Sequence, residues 1–275
     1  MRWEIGNTET PSANQNAGIE QKIEAQNLQH LAYGTSSAKT TTLSFWVRSN
    51  KLGTYCVQIM QEDGTKYQMH EYTISSSNTW EKKTIKIVGN TANAINNDNG
   101  VGLRIIWMLT VGSSDHVAAT STWASGGDLA ATSNQVNLWD DGANEWYLTG
   151  CQLEVGEIAT AFEHLSFGEE LMLSQRYYQR HRAATYHGQN FVGRKTSSNT
   201  VIGTMYGFLP MRTQATGTIS GSGAHRLKRT SDQSAHTPTS VSFTHHTLPN
   251  KSKVNKSLVH VTIKKKRPAG RSGAL

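Results

Sequence analysis

The stretch from Gly102 to Gly112, GLRIIWMLTVG, decides the fold. Leu103, Ile105, Trp107, Leu109 and Val111 recur at every second position, a spacing that sends all five side chains to one face of a β-strand. The stripe predicts a buried face, with Trp107 in the core. Working outward, TLSFWVRS (42–49) sets Leu43, Phe45 and Val47 against Ser44, Trp46 and Arg48. TYCVQIM (54–60) sets Tyr55, Val57 and Ile59 against Cys56, Gln58 and Met60, and KTIKIVG (83–89) aligns Ile85 with Ile87. EWYLTGCQLEVG (145–156) reads as one face of Tyr147, Thr149, Cys151, Leu153 and Val155. These strands are expected to be half-buried and mostly antiparallel.

Polar turns separate them: SNKLGT, QEDGTK, GNTANAINNDNG and WDDGANE, rich in the Asn, Asp and Gly that tolerate tight reversals. In IEQKIEAQNLQHL (19–31), Ile19, Ile23 and Leu28 form no continuous helical stripe, and the segment is read as extended. The fold class is therefore all-β. An antiparallel jelly-roll β-sandwich over residues 1–165 is preferred, because it stacks many short strands over one core.

Charge divides the chain. The 275 residues carry +7, but residues 1–175 hold 10 Lys/Arg against 19 Asp/Glu and residues 176–275 hold 17 against one, Asp232. All seven tryptophans lie between Trp3 and Trp146. The two parts are built differently, with a boundary near 165–175. SFGEELMLSQRYYQRHR is a helix signal: Ser166 and Glu169 form a capping box, acids open the segment and arginines close it. A connector helix is expected over 166–183, packed on its own sandwich or serving as a subunit contact. NFVG, TVIGTMYGFLP and TQATGTISGSGA suggest a smaller, irregular β-rich region over 184–275, with a basic, poorly ordered end from about 240.

Several classes are excluded. No apolar run approaches the ~18 residues of a membrane span, and MRWEIGNTET lacks the apolar segment of a signal peptide. Two cysteines make neither a disulfide framework nor a zinc site. Nucleophile-elbow, phosphate-loop and zinc-protease motifs are missing from the sequence, and His70-Glu71 lacks its second histidine. Asp140 and Asp141 read as turn residues rather than a glycosidase pair. With the Asn137 carbonyl they offer oxygen to Ca²⁺, but no ligand is assigned and no cofactor is expected. His245-His246 reads as solvated. Exposed tryptophans carry more chemistry, because an aromatic ring stacks on the C–H face of a sugar. Trp46 on the polar side of its strand, and Trp123 and Trp139 in polar loops, are the glycan-binding candidates, set against the alternative that a loop tryptophan plugs the end of a sandwich.

The strings 23–55, 76–91 and 134–171, followed by SQRYYQR (174–180), resemble in content and order a β-sandwich module of bacteriophage tail-fibre proteins, over roughly residues 17–185. Such modules resemble carbohydrate-binding jelly rolls and are followed by a QRYY-type linker and a β-rich tip. The resemblance implies a non-enzymatic virion protein of the tail, assembled in the host cytoplasm. It also implies a homotrimer with other tail proteins and host-surface polysaccharide as partners, and free Cys56 and Cys151 in that reducing compartment. Two other readings stand beside it: a decoration or scaffold protein without a ligand, and a carbohydrate-binding module of a polysaccharide-degrading protein. MRWEI has the character of an internal strand, so further strands are expected before Met1 in the natural protein. The basic ending departs from the family pattern. A solvated tail, a polyanion-binding tail and a shifted reading frame are its three explanations; a membrane or nucleic-acid partner is not expected.

Overall fold

A computed structural model describes residues 1–126, 129–179, 191–195, 201–205, 211–212, 227–228, 235–236 and 262–264. The chain divides into two compact units, one of residues 1–164 with 256–275 and one of residues 165–255.

The first unit is a two-sheet antiparallel sandwich. Its strands are β1 (Arg2–Glu4), β2 (Asn16–Glu24), β3 (Thr41–Ser49), β4 (Gly53–Gln61), β5 (Lys66–Ile74), β6 (Glu81–Ile87), β7 (Val101–Val111), β8 (Thr120–Ser125) and β9 (Glu145–Val155). One sheet runs β1-β9-β3-β6 and the other β2-β7-β4-β5-β8, so the chain crosses repeatedly between them, as the predicted jelly roll requires. Leu43, Phe45, Val47, Tyr55, Val57, Ile59, Leu103, Ile105, Trp107 and Leu109 meet in one buried cluster between the sheets. The stripes of β3 and β4 and the first four residues of the β7 stripe therefore build the core they predict; the fifth, Val111, packs instead against the cluster on the outer face, past an irregularity in the β2–β7 register. Fully burying a Leu, Ile or Phe side chain contributes roughly 1.5–3 kcal/mol.

Three expectations need correction. First, β4 and β7 are buried on both faces. Residues 129–132 lie over the outer face of the second sheet, where Ala130 and Ala131 pack on Cys56, Met60, Tyr67, Met69, Ile106 and Met108. Polar contacts pin them: Thr132 donates from its hydroxyl to Glu71 and from its N–H to Cys56 Sγ (3.4 Å), and Asn134 donates to Glu71 Oε1 at 3.1 Å.

Second, residues Ala25–Leu31 form a 3₁₀ helix rather than extended chain. Its buried residues Ala25, Leu28 and Leu31 recur every three positions, the period of that helix, so one edge reaches the core. The preceding residues do extend, as β2.

Third, Tyr147 and Thr149 do not share a face with Cys151, Leu153 and Val155. The β3–β9 register jumps from Ser44↔Gln152 to Trp46↔Thr149, so Phe45 opposes two residues, Gly150 and Cys151. Gly150 takes φ +58°, the left-handed conformation that a glycine adopts without steric cost. The bulge keeps Trp146 and Leu148 inward with Cys151 and Leu153, and turns Tyr147 and Thr149 outward.

Both cysteines are free and buried, Cys151 between the sheets and Cys56 on the covered outer face of the second sheet. Burial pushes the Cys151 thiol up to about 12 and raises that of Cys56.

The second unit contains α1 (Phe167–Gln175), whose capping box is formed by Ser166 and Glu169. The helix is shorter than the predicted 166–183. Tyr177 and Tyr178 both turn their N–H groups to the Ser174 carbonyl (3.0 and 3.1 Å), and residues 180–183 lie outside the described ones. The antiparallel pairs β10 (Phe191–Lys195) with β11 (Val201–Met205), and β12 (Leu227–Lys228) with β13 (Ala235–His236), follow. A short strand β14 (Thr262–Lys264) belongs to the first unit and runs parallel to β9 at Gln152–Glu154. The remaining expectations for the linker, the tip and the basic end fall outside the described residues. No described helix is long and apolar enough to cross a membrane.

Candidate aromatic face

The outer surface of the first sheet is closed at one end and open at the other. Thr42, Ser44, Gln152 and Glu154 point outward yet are buried. The segment after β9 covers them: Thr160 donates to both Glu154 oxygens (2.7 Å each), Glu163 N–H donates to Gln152 Oε1 (2.9 Å), and Thr42 donates to the Gly156 carbonyl (2.7 Å). Beyond that cover the sheet exposes Trp46 and, one residue before β6, Trp80, at 39% and 40% of their full surface.

The ladder orders this open part into rows. Trp46 on β3 faces Lys82 on β6 and Thr149 on β9. In the next row Arg48 faces Tyr147, which in turn faces Arg2 of β1. Diagonal cross-strand neighbours lie about 7–8 Å apart, within reach of aromatic side chains, and Trp46 is diagonal to Tyr147. The Arg48 guanidinium sits 5.0 Å from the centre of the Tyr147 ring and that of Arg2 sits 5.7 Å from it. Trp80 meets Tyr147 edge-on at 6.1 Å. Cations and rings therefore alternate across the face.

Hydrogen bonds set the outer margin. Tyr147 donates its hydroxyl to Glu145, whose other oxygen accepts from Arg2 at 2.5 Å. Together the Tyr147 and Arg2 bonds and the nearby Arg48 charge hold the Glu145 carboxyl below the usual carboxylate range, while the same contact raises the Tyr147 phenol. The Trp46 ring lies over the Gly150 backbone: a Cβ built on that residue would stand 3.0 Å from Trp46 Cδ1. The bulge thus does two things, turning Tyr147 outward and leaving room for the indole.

The three tryptophans singled out from sequence are not brought together. Trp46 stands on the open face. Trp123 lies in β8 rather than in a loop, because that stretch pairs with β5 through Lys66↔Ser125 and Tyr67↔Ala124. Its ring is half-buried against the core, edge-on to Tyr33 at 5.8 Å, with its indole N–H donated to the Val88 carbonyl at 2.8 Å. Trp139 lies in the 3₁₀ turn Leu138–Asp140, packed on the core and 6.4 Å from Trp3. Trp80 and Tyr147 were missed. Trp80 shares parity with the polar Lys82, Thr84 and Lys86, which was a usable outward signal. Tyr147 was hidden by the unrecognised bulge.

The acids weighed for calcium have protein partners. Asp140 accepts from Lys51 and, at 2.8 Å, from Asn144; Asp141 accepts from the Ala143 N–H at 2.9 Å, closing a turn. Among the described residues no group of three or more His, Cys, Asp or Glu side chains is placed to hold a metal ion.

No family model matches the chain, and no curated protein matches it. Among solved structures it is similar to one described as "CBM4 structure and function", with 12% identity, 53% of this chain and 80% of that one covered, and a TM-score of 0.29. It is also similar to "Family 16 Carbohydrate Binding Module-2", with 13% identity, coverage of 52% and 72%, and a TM-score of 0.23. Scores this low carry nothing about ligand from either structure to this chain.

Proposed function

We propose that the chain is a non-enzymatic adhesion protein of a phage tail fibre, binding host-surface glycans through the open face of the β1-β9-β3-β6 sheet. The observation that carries the glycan reading is the pair of exposed indoles, Trp46 and Trp80, set around Tyr147 on an otherwise polar strand surface. Large aromatic side chains held half out of a rigid sheet are costly to leave in water and suit the C–H faces of sugar rings. The Trp46 ring rests on the Gly150 backbone and the Trp80 ring on Tyr147 before any ligand arrives, so little ordering is lost on binding. The tail-fibre part rests on the sequence resemblance. A flat platform of this kind binds weakly by itself, and linking copies in a trimer raises avidity without new contacts.

A glycan array tests the reading. Wild-type protein should bind a subset of saccharides, Trp46→Ala and Trp80→Ala should lose that binding, and Trp139→Ala should keep it. Absence of binding by the wild type, or its survival in both of the first two variants, defeats the proposal.

A further inference from the structure

The cations of the open face point to what kind of saccharide it takes. Lys82, directly across the ladder from Trp46, is exposed and belongs to no ion pair among the described residues. Arg48 lies between the strands of Trp80 and Tyr147 and has no carboxylate within ion-pair distance among the described residues. Among the described residues its side chain has one hydrogen bond, a long one of 3.5 Å to Asn78 Oδ1, and its Nε is shielded from solvent without an acceptor. The other basic groups of this surface are engaged: Arg2 pairs with Glu4 and Glu145, and Lys86 with Glu157 at 2.7 Å. Two unpaired cations thus flank Trp46 on adjoining rows, while the acids Glu4 and Glu145 stay at the β1 margin.

Resting on the reading of this face as a glycan platform, we propose that its ligand is an acidic saccharide, whose ring stacks on Trp46 while its carboxylate or sulfate is held by Lys82 and Arg48. A neutral sugar would leave Lys82 without a charge partner and Arg48 with only the Tyr147 ring and the field of Glu145, which lies outside ion-pair distance. A guanidinium stacked on an aromatic ring keeps its N–H fork free for a carboxylate, which it binds through paired, charge-assisted hydrogen bonds. A nucleic acid is the less suitable polyanion. Its affinity comes from neutralising many phosphates in succession, and here two unpaired cations adjoin a margin that already carries acid.

The test is binding of the full chain to a panel of immobilised polymers: polygalacturonate, alginate and chondroitin sulfate, carboxyl-reduced polygalacturonate, dextran, and a single-stranded oligonucleotide. At least one acidic polymer should bind about tenfold more tightly than the reduced polymer and dextran, the value of one charge-assisted hydrogen bond. Lys82→Gln and Arg48→Gln should each remove most of that preference while leaving thermal unfolding unchanged. Trp46→Ala should weaken binding to every polymer that binds. Equal binding to acidic and neutral polymers overturns the acidic preference and leaves the glycan platform standing. Binding to no polysaccharide overturns both. Oligonucleotide binding as tight as the best saccharide assigns the face to nucleic acid and overturns the proposal.

Discussion

Replacing Gly150 with alanine should strike the fold and the aromatic face together, and the two effects can be separated. An alanine held at φ +58° costs about 1–2 kcal/mol of backbone energy. Its Cβ would also stand 3.0 Å from Trp46 Cδ1, closer than ordinary van der Waals contact. The indole must tilt off its rotamer, which adds about 0.5–1.5 kcal/mol. The single variant should therefore lose about 2 kcal/mol. In a Trp46→Ala background only the backbone part remains, so the two substitutions should couple by about 1 kcal/mol, above the ~0.3–0.5 kcal/mol within which independent sites add. Gly150→Asn should recover much of the backbone part, because asparagine tolerates this conformation, and keep the contact. Urea unfolding followed by tryptophan fluorescence is the assay, since every tryptophan lies between Trp3 and Trp146 and the signal reports the sandwich alone. Additive losses would refute the idea that the ring rests on the bulge.

Three further outcomes follow from buried polar groups. Burial lowers the His70 ring to about 4, below its ordinary value of 6.5, so the neutral ring's contribution is complete above 6.5 and is lost as pH falls towards 4. Urea midpoints of the wild type should drop between pH 7 and 4.5 by more than those of His70→Gln; parallel declines would exclude His70 as the cause. Cys56 and Cys151 should resist a thiol reagent in the native protein and react promptly in denaturant, and labelling of folded protein would contradict their burial. Gln135→Ala removes the acceptor at 2.7 Å from the Cys56 N–H and should cost about 1–3 kcal/mol in urea unfolding. A change under about 0.5 kcal/mol, the size usual for surface substitutions, would show that another acceptor replaces it.

The core was the most legible part of the sequence, because within β3, β4 and β7 one parity carries an unbroken apolar run while the other is broken by Ser44 and Arg48, by Gln58 and by Arg104 and Thr110. β5 was passed over for a physical reason. Its apolar residues sit on opposite faces in its two halves, Tyr67 and Met69 towards the covered outer surface and Tyr72 and Ile74 towards the core. No single stripe appears. The cover over the second sheet was equally hidden, since Ala130, Ala131 and Thr132 are small, carry no period and act only through distant partners such as Glu71. The bulge in β9 shows how one residue misleads a period-2 reading: before Gly150 each parity points the opposite way from the parity after it. Two of the three rings of the aromatic face were therefore legible, Trp46 by its polar neighbours and Trp80 by its parity with Lys82, Thr84 and Lys86, while Tyr147 needed the register.

Whether saccharide meets the open face of the β1-β9-β3-β6 sheet can be read directly from the seven tryptophans. In a ¹H–¹⁵N spectrum each indole N–H gives its own signal, to be assigned by single substitutions and followed during titration with an acidic polymer from the panel. The Trp46 and Trp80 signals should shift with ligand while those of the buried Trp107 and Trp146 stay fixed. Shifts confined to Trp123 or Trp139, with Trp46 and Trp80 unmoved, would contradict binding at this face.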